Sequence, residues 1–184
     1  MKDMLSNGLD VYTSIGTARA IAEECRVIET HHRLNFIKSE EQFKVGGFTI
    51  LPFETQHDAA EPLAFLISHE DMGKLLFATD TYYIQYKFNG LRHLLIECNY
   101  SKEILEKNLN IGLNKSLGSR LIKSHFSLEN VIEFLKATDL SKCESITLIH
   151  LSDENSNAAQ FKNEIERLTG KPVYIADKGL ELEL

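Results

Sequence analysis

The chain has 184 residues, 43% of them hydrophobic and 26% charged, with a formal net charge of −7 at pH 7. That length suits a single globular domain, residues 1–184, and would cramp two; the composition is that of an ordinary soluble protein. The acidic balance works against a broad nucleic-acid surface, no apolar run approaches the roughly 20 residues of a membrane span, and MKDMLSNGLD lacks the apolar core of a signal peptide, so a cytoplasmic protein with no membrane contact is expected.

Met1 to Ser6 reads as the end of a helix stopped by Asn7-Gly8, and LDVYT as a short strand. Ser14 is placed to cap a helix reaching about Cys25, with Ile15, Ala18, Ile21 and Ala22 on one face. From Val27 to His57 the residues alternate as strands do, interrupted by a Gly46-Gly47 turn. PLAFLISHE and GKLLFATD form a second hairpin around Asp71–Gly73, and LRHLLIEC is a further buried strand.

Ser101 caps a helix in KEILEKNL and Ser127 another in LENVIEFLKAT; SITLIH is a strand. A helix runs from about Asn157 to Leu168 and ends at Gly170. PVYIA and LELEL, joined by Asp177-Lys178-Gly179, are expected to close the chain as a hairpin. Antiparallel pairs first and interleaved helices later predict an α/β protein with a mixed, α+β-like sheet rather than a regular doubly wound series.

Cys25, Cys98 and Cys143 are odd in number and widely spaced, which argues against a disulfide framework or a structural zinc finger. Cys25 and Cys98 sit beside apolar residues and are expected reduced and buried. SIGTARA lacks both the GxGxxG pattern and the P-loop lysine.

Three apolar runs end on metal-ligand side chains: FTILPFETQH at His57, KLLFATD at Asp80 and SITLIH at His150. Side chains just past strand ends in an α/β sheet project into one crevice, and imidazole with carboxylate suits zinc, iron or manganese. Each residue also has a structural alternative: His57 closing a turn with Asp58, Asp80 making an Asx-turn, His150 ending its strand. Asp58 or a backbone carbonyl would hold the other ring nitrogen of His57.

Glu97 ends a strongly apolar strand, and His125 precedes a capped helix. A carboxylate bonded to that imidazole would fix its tautomer and raise its basicity, making His125 a general acid; the alternative leaves Glu97 facing water and His125 helping to cap the helix. His31, His32, His69 and His93 read as surface or structural residues, His69 at a hairpin tip and His93 at an edge position.

These segments together resemble the metallo-β-lactamase superfamily, in its phosphodiesterase and nuclease branch that includes ribonuclease Z. The resemblance runs from Met1 to about Leu184, and PFETQHDAAEPLAFLI, LFATDT, LLIECNYS, SHFS and LIHLSDEN carry it in that order. It implies an αββα sandwich with metals at the edge of its two sheets. It implies that His57 binds the first metal, Asp80 bridges both and takes part in catalysis, and His150 binds the second. Glu97 and His125 would form the pair that donates a proton. The implied cofactor is Zn²⁺, or Mn²⁺ or Fe²⁺, and the implied substrate is a phosphodiester or a small nucleotide-like molecule.

The superfamily signature HxHxDH, which should precede a helix like MKDMLSNG, does not occur in this sequence. HHRLN at His31 has the wrong spacing. Without that motif each metal would keep only part of its ligand set, whereas catalytic zinc usually has three protein ligands. The first strands of one sheet are expected to be missing too, leaving an exposed sheet edge. The chain is then expected to be an N-terminally truncated form, either part of a longer enzyme or a short form that has lost its site. Two functions follow: a metal-dependent hydrolase, or a non-catalytic remnant that binds a partner or self-associates through the exposed edge.

Overall fold

The computed structural model describes residues 2–25 and 31–184. It opens with α1 (Lys2–Ser6), β1 (Val11–Thr13) and α2 (Ile15–Cys25), followed by β2 (Leu34–Phe36). β1 and β2 pair in parallel as a small separate sheet. Within α2 the expected inner face is only partly right: Ala18 is buried, but Ile15 at the helix start is 45% exposed. The strand reading of Val27 to Thr30 lies outside the described residues.

The large sheet has seven strands in simple sequence order: β3 (Phe43–Val45), β4 (Phe48–Glu54), β5 (Leu63–His69), β6 (Gly73–Ala78), β7 (His93–Glu97), β8 (Ser145–Ile149) and β9 (Val173–Ile175). The first four pair antiparallel and the last four parallel, so the sheet changes character at β6. The turns follow their residue chemistry. Gly46, at a φ of 55°, shares a two-residue turn with Gly47 that joins Val45 to its partner Phe48.

Between the parallel strands lie α3 (Lys102–Asn110), α4 (Lys115–Ser124), α5 (Leu128–Ala137) and α6 (Ala158–Thr169). Ser101, Ser127 and Asn157 cap α3, α5 and α6 by accepting from the N–H three residues on. Gly170 ends α6 in the left-handed conformation. Helix α4 was not expected from the sequence: Gly118 interrupts its interior, although Asn114 caps it and Leu117 and Leu121 stand one turn apart.

The core lies on one face of the sheet. Leu76, Ala78, Leu94, Ile96, Ile146 and Leu148 are fully buried and pack with Val131 and Leu135 of α5 and Phe161 and Ile165 of α6. Each of the larger side chains contributes about 1.5–3 kcal/mol through burial. Strand alternation puts Phe65, Phe77 and Leu95 on the opposite face, where they are only half-buried.

Two expectations fail here. His93 is not at an edge: it lies in central strand β7, 4% exposed, with Nδ1 2.8 Å from Ser145 Oγ. A polar residue inside an apolar run resembles an edge position until the neighbouring strand supplies its partner. LELEL forms no strand, and β9 pairs with β8 alone. Alternation would gather its leucines on one face, but Leu180 and Leu184 stay 40% and 43% exposed, so that face is not buried against the sheet.

Candidate functional site

Strands β4, β6, β7 and β8 all run in one direction, because β5 reverses once between β4 and β6 and the later pairings are parallel. Their C-terminal ends therefore share one edge of the sheet. His57 follows β4, Asp80 follows β6, Glu97 ends β7, and His150 follows β8 directly. His125 comes from the junction of α4 and α5. The bond from Asn99 N–H to the Phe126 carbonyl, 2.9 Å, holds that junction beside the end of β7.

The five residues singled out in the sequence meet in this crevice. Asp80 Oδ1 lies 3.9 Å from His57 Nε2, 3.3 Å from His150 Nδ1 and 3.8 Å from His125 Nδ1. Glu97 Oε1 lies 2.6 Å from His125 Nδ1 and 3.0 Å from His150 Nδ1. Asp80 and His150 both adopt the left-handed backbone conformation, with φ of 51° and 55°. Non-glycine residues rarely do so, and such strain gathers where side chains must be aimed.

Glu97 is fully buried, so its charge needs several partners. The second oxygen, Oε2, accepts the backbone N–H of Thr81 at 3.1 Å, while Oε1 serves the two imidazoles. Thr81 gave no sign of this role in the sequence, because its contribution is a backbone donor. The hydrogen bond to Glu97 raises the His125 pKa above the usual imidazole value; burial opposes it, and the charges of Glu97, Asp80 and Asp58 add to it.

His57 Nδ1 lies 3.3 Å from Asp58 Oδ1 and 3.1 Å from the Ala59 N–H. A proton on Nδ1 serves Asp58 and leaves the Nε2 lone pair facing Asp80. A proton on Nε2 instead serves Asp80 and lets Nδ1 accept from Ala59. The other histidines stand apart: His31 and His32 stack at 4.7 Å, and His69 lies against Phe48 at the hairpin end.

The donor chemistry suits a divalent cation. Ligand atoms of Asp80, Glu97, His125 and His150 all fall within 4.8 Å of one another. The 3.3 Å separation of Asp80 from His150 matches the edge of a tetrahedron with metal–ligand bonds of about 2.0–2.1 Å. Asp80 and His150 are each nearly half exposed, whereas Glu97 is sealed, so the cluster is open on the solvent side.

Two cavities flank the cluster. One of about 280 Å³ is lined by His57, Asp80, Thr55 and the β1–α2 segment. Another of about 450 Å³ is lined by His125, His150, Ser152 and the Arg120 side of α4.

Solved structures share this architecture. The metallo-β-lactamase fold protein YhfI from Bacillus subtilis superposes with a TM-score of 0.65 at 16% identity, over 92% of this chain and 62% of that one. Igni18, a metallo hydrolase from the archaeon Ignicoccus hospitalis, gives 0.65 at 13% identity, over 99% and 73%. A diphosphatase of the PhnP family gives 0.61 at 16% identity, over 94% and 57%. The chain thus has the metallo-β-lactamase fold, and spans less than two thirds of YhfI and of the diphosphatase. No protein-family model matches it, and no curated protein sequence does. Among the described residues no helix is long and apolar enough to cross a membrane.

Proposed function

We propose that this chain is a metal-dependent hydrolase, or the larger part of one, acting on phosphodiester or small nucleotide-like substrates in the cytoplasm. One observation carries the reading: the Asp80 carboxylate stands between the His57 and His150 imidazoles, 3.9 and 3.3 Å away. A metallo hydrolase and a diphosphatase among the proteins sharing the fold support it.

By the resemblance, His57 and Asp80 would hold one cation and Asp80 and His150 a second, and zinc, manganese or iron would each suit these donors chemically. Glu97 and His125, though close enough to be ligands, are assigned otherwise. Glu97 is fully buried and bonded to the Thr81 N–H and to His125 Nδ1, which fits a role in orienting His125. A bound cation of this kind supplies Lewis acidity and an activated water.

Glu97 keeps His125 in one orientation and favours its protonated form, so His125 can give a proton to the leaving oxygen. Thr81 holds Glu97 through its backbone N–H. Asp80, shared by the imidazoles on either side, is the residue whose loss should disrupt most. The test supplies zinc or manganese and measures bis-p-nitrophenyl phosphate hydrolysis by the native chain and by Asp80→Ala. A rate that Asp80→Ala abolishes supports the reading; equal background rates in both reject it.

A second reading has its own observation. The half-buried sheet face bearing Phe65, Phe77 and Leu95 would suit a binding or self-associating module, a non-catalytic remnant of the same fold. The two edge strands, β3 and β9, have only three residues each, so the face and not the edge would carry association. Sedimentation equilibrium separates the cases: a monomer at all concentrations removes self-association.

A further inference from the structure

The 450 Å³ cavity beside His125 and His150 contains one permanently cationic side chain among its described lining residues, Arg120 of α4. The chain as a whole is acidic, and Asp58, Asp80, Glu97 and Asp153 surround or line the crevice. An anionic substrate approaching it therefore meets these carboxylates, and Arg120 is the fixed positive charge among the described lining residues that offsets them.

Arg120 is also nearly uncommitted. Its Nε stands 3.3 Å from Asp58 Oδ2, with the two side chains 71% and 51% exposed. Exposed pairs of this kind contribute little and exchange readily. Among the described residues no hydrogen bond engages the terminal amines, leaving the planar fork available for bidentate recognition of an oxyanion. Asp58 is the residue that also faces His57 Nδ1, at 3.3 Å. Arg120 thus reaches from the far wall of the crevice to the loop that carries His57, across the place where a substrate would lie.

We propose that Arg120 is a substrate-binding residue that exchanges Asp58 for the non-bridging oxygens of a phosphate ester, selecting anionic over neutral esters. This rests on the hydrolase reading and adds a recognition element to it. When the guanidinium moves to the substrate, Asp58 is left to the His57 ring alone.

The experiment titrates inorganic phosphate into zinc-supplied native protein, Arg120→Ala and Arg120→Lys, following binding by phosphorus NMR, with zinc content measured on the same samples. Support is a tenfold or greater loss of phosphate affinity in Arg120→Ala and a smaller loss in Arg120→Lys. Phosphate affinity in Arg120→Ala within twofold of native, or no phosphate binding by the native protein, overturns the proposal. Zinc bound normally with unchanged phosphate affinity rejects Arg120 alone. Absence of bound metal, with zinc and with manganese supplied in its place, rejects the hydrolase reading, and the same tenfold criterion then judges Arg120 in the metal-free protein.

Discussion

Asp80 and His150 are seventy residues apart in sequence, yet each follows a strand end in a left-handed backbone conformation and their side chains meet, His150 Nδ1 lying 3.3 Å from Asp80 Oδ1. Neither backbone conformation is favoured by an L side chain, at roughly 1–2 kcal/mol for each. That strain makes a prediction independent of any catalysis. His150→Gly should be about 1 kcal/mol more stable than His150→Ala, because glycine alone adopts a positive φ freely. Urea denaturation of the two variants measures the difference, and equal midpoints would remove strain from the account.

Glu97 is the electrostatic anchor of His125. In chelator-treated protein, Glu97→Gln should lower the His125 pKa towards its ordinary value, followed by NMR of the ring protons. The native pair raises the folded pKa, so its stabilisation is fully present below about 6.5 and is lost as pH rises through the higher folded value. Glu97→Gln should erase that dependence and, by leaving buried partners unmatched, cost about 1–3 kcal/mol. An unmoved His125 titration would exclude the pairing.

His93 titrates in the opposite sense. Burial lowers its pKa, opposed by the charge of Glu144, so the native state favours the neutral ring. The contribution to stability is complete above the unfolded value of 6.5 and declines as pH falls from there through the lower folded value. His93→Gln, which keeps a partner for Ser145, should flatten stability between about pH 5 and 7, measured by denaturant titration at each pH. A native-like acid limb in that variant would assign the dependence elsewhere.

Ser127 caps α5 through the N–H of Asn130 and lies two residues beyond His125. Ser127→Ala should cost about 1 kcal/mol and lower the thermal midpoint by about 2–4 °C. Circular dichroism at 222 nm during a thermal scan reads it, and an unchanged midpoint would mean that water replaces the cap.

Most of the architecture could be read from residue order, because each strand leading to a site residue is a largely apolar run with a polar side chain at or just past its end, and helices α3, α5 and α6 carry explicit caps. The meeting of His57, Asp80, Glu97 and His150 was legible because strand ends on one sheet edge converge, whereas His125 joins them from a helix junction. The misses have separate causes. Helix α4 was obscured by Gly118, and with it Arg120, whose significance depends on what lies opposite. LELEL has the alternation of a strand, but alternation says nothing about whether a partner exists. Thr81 acts through its main chain, which no side-chain pattern reveals.

The change from antiparallel to parallel pairing at β6 has a kinetic corollary. Hairpins β3 to β6 close over short loops and can form early, whereas the parallel half must bring distant segments together and is intrinsically slow. His57 and Asp80 ride on the early half, Glu97, His125 and His150 on the late one. In the proposed hydrolase, cation capture during refolding should accordingly lag behind the appearance of β-structure, making uptake of the ion a clock for the last step of assembly.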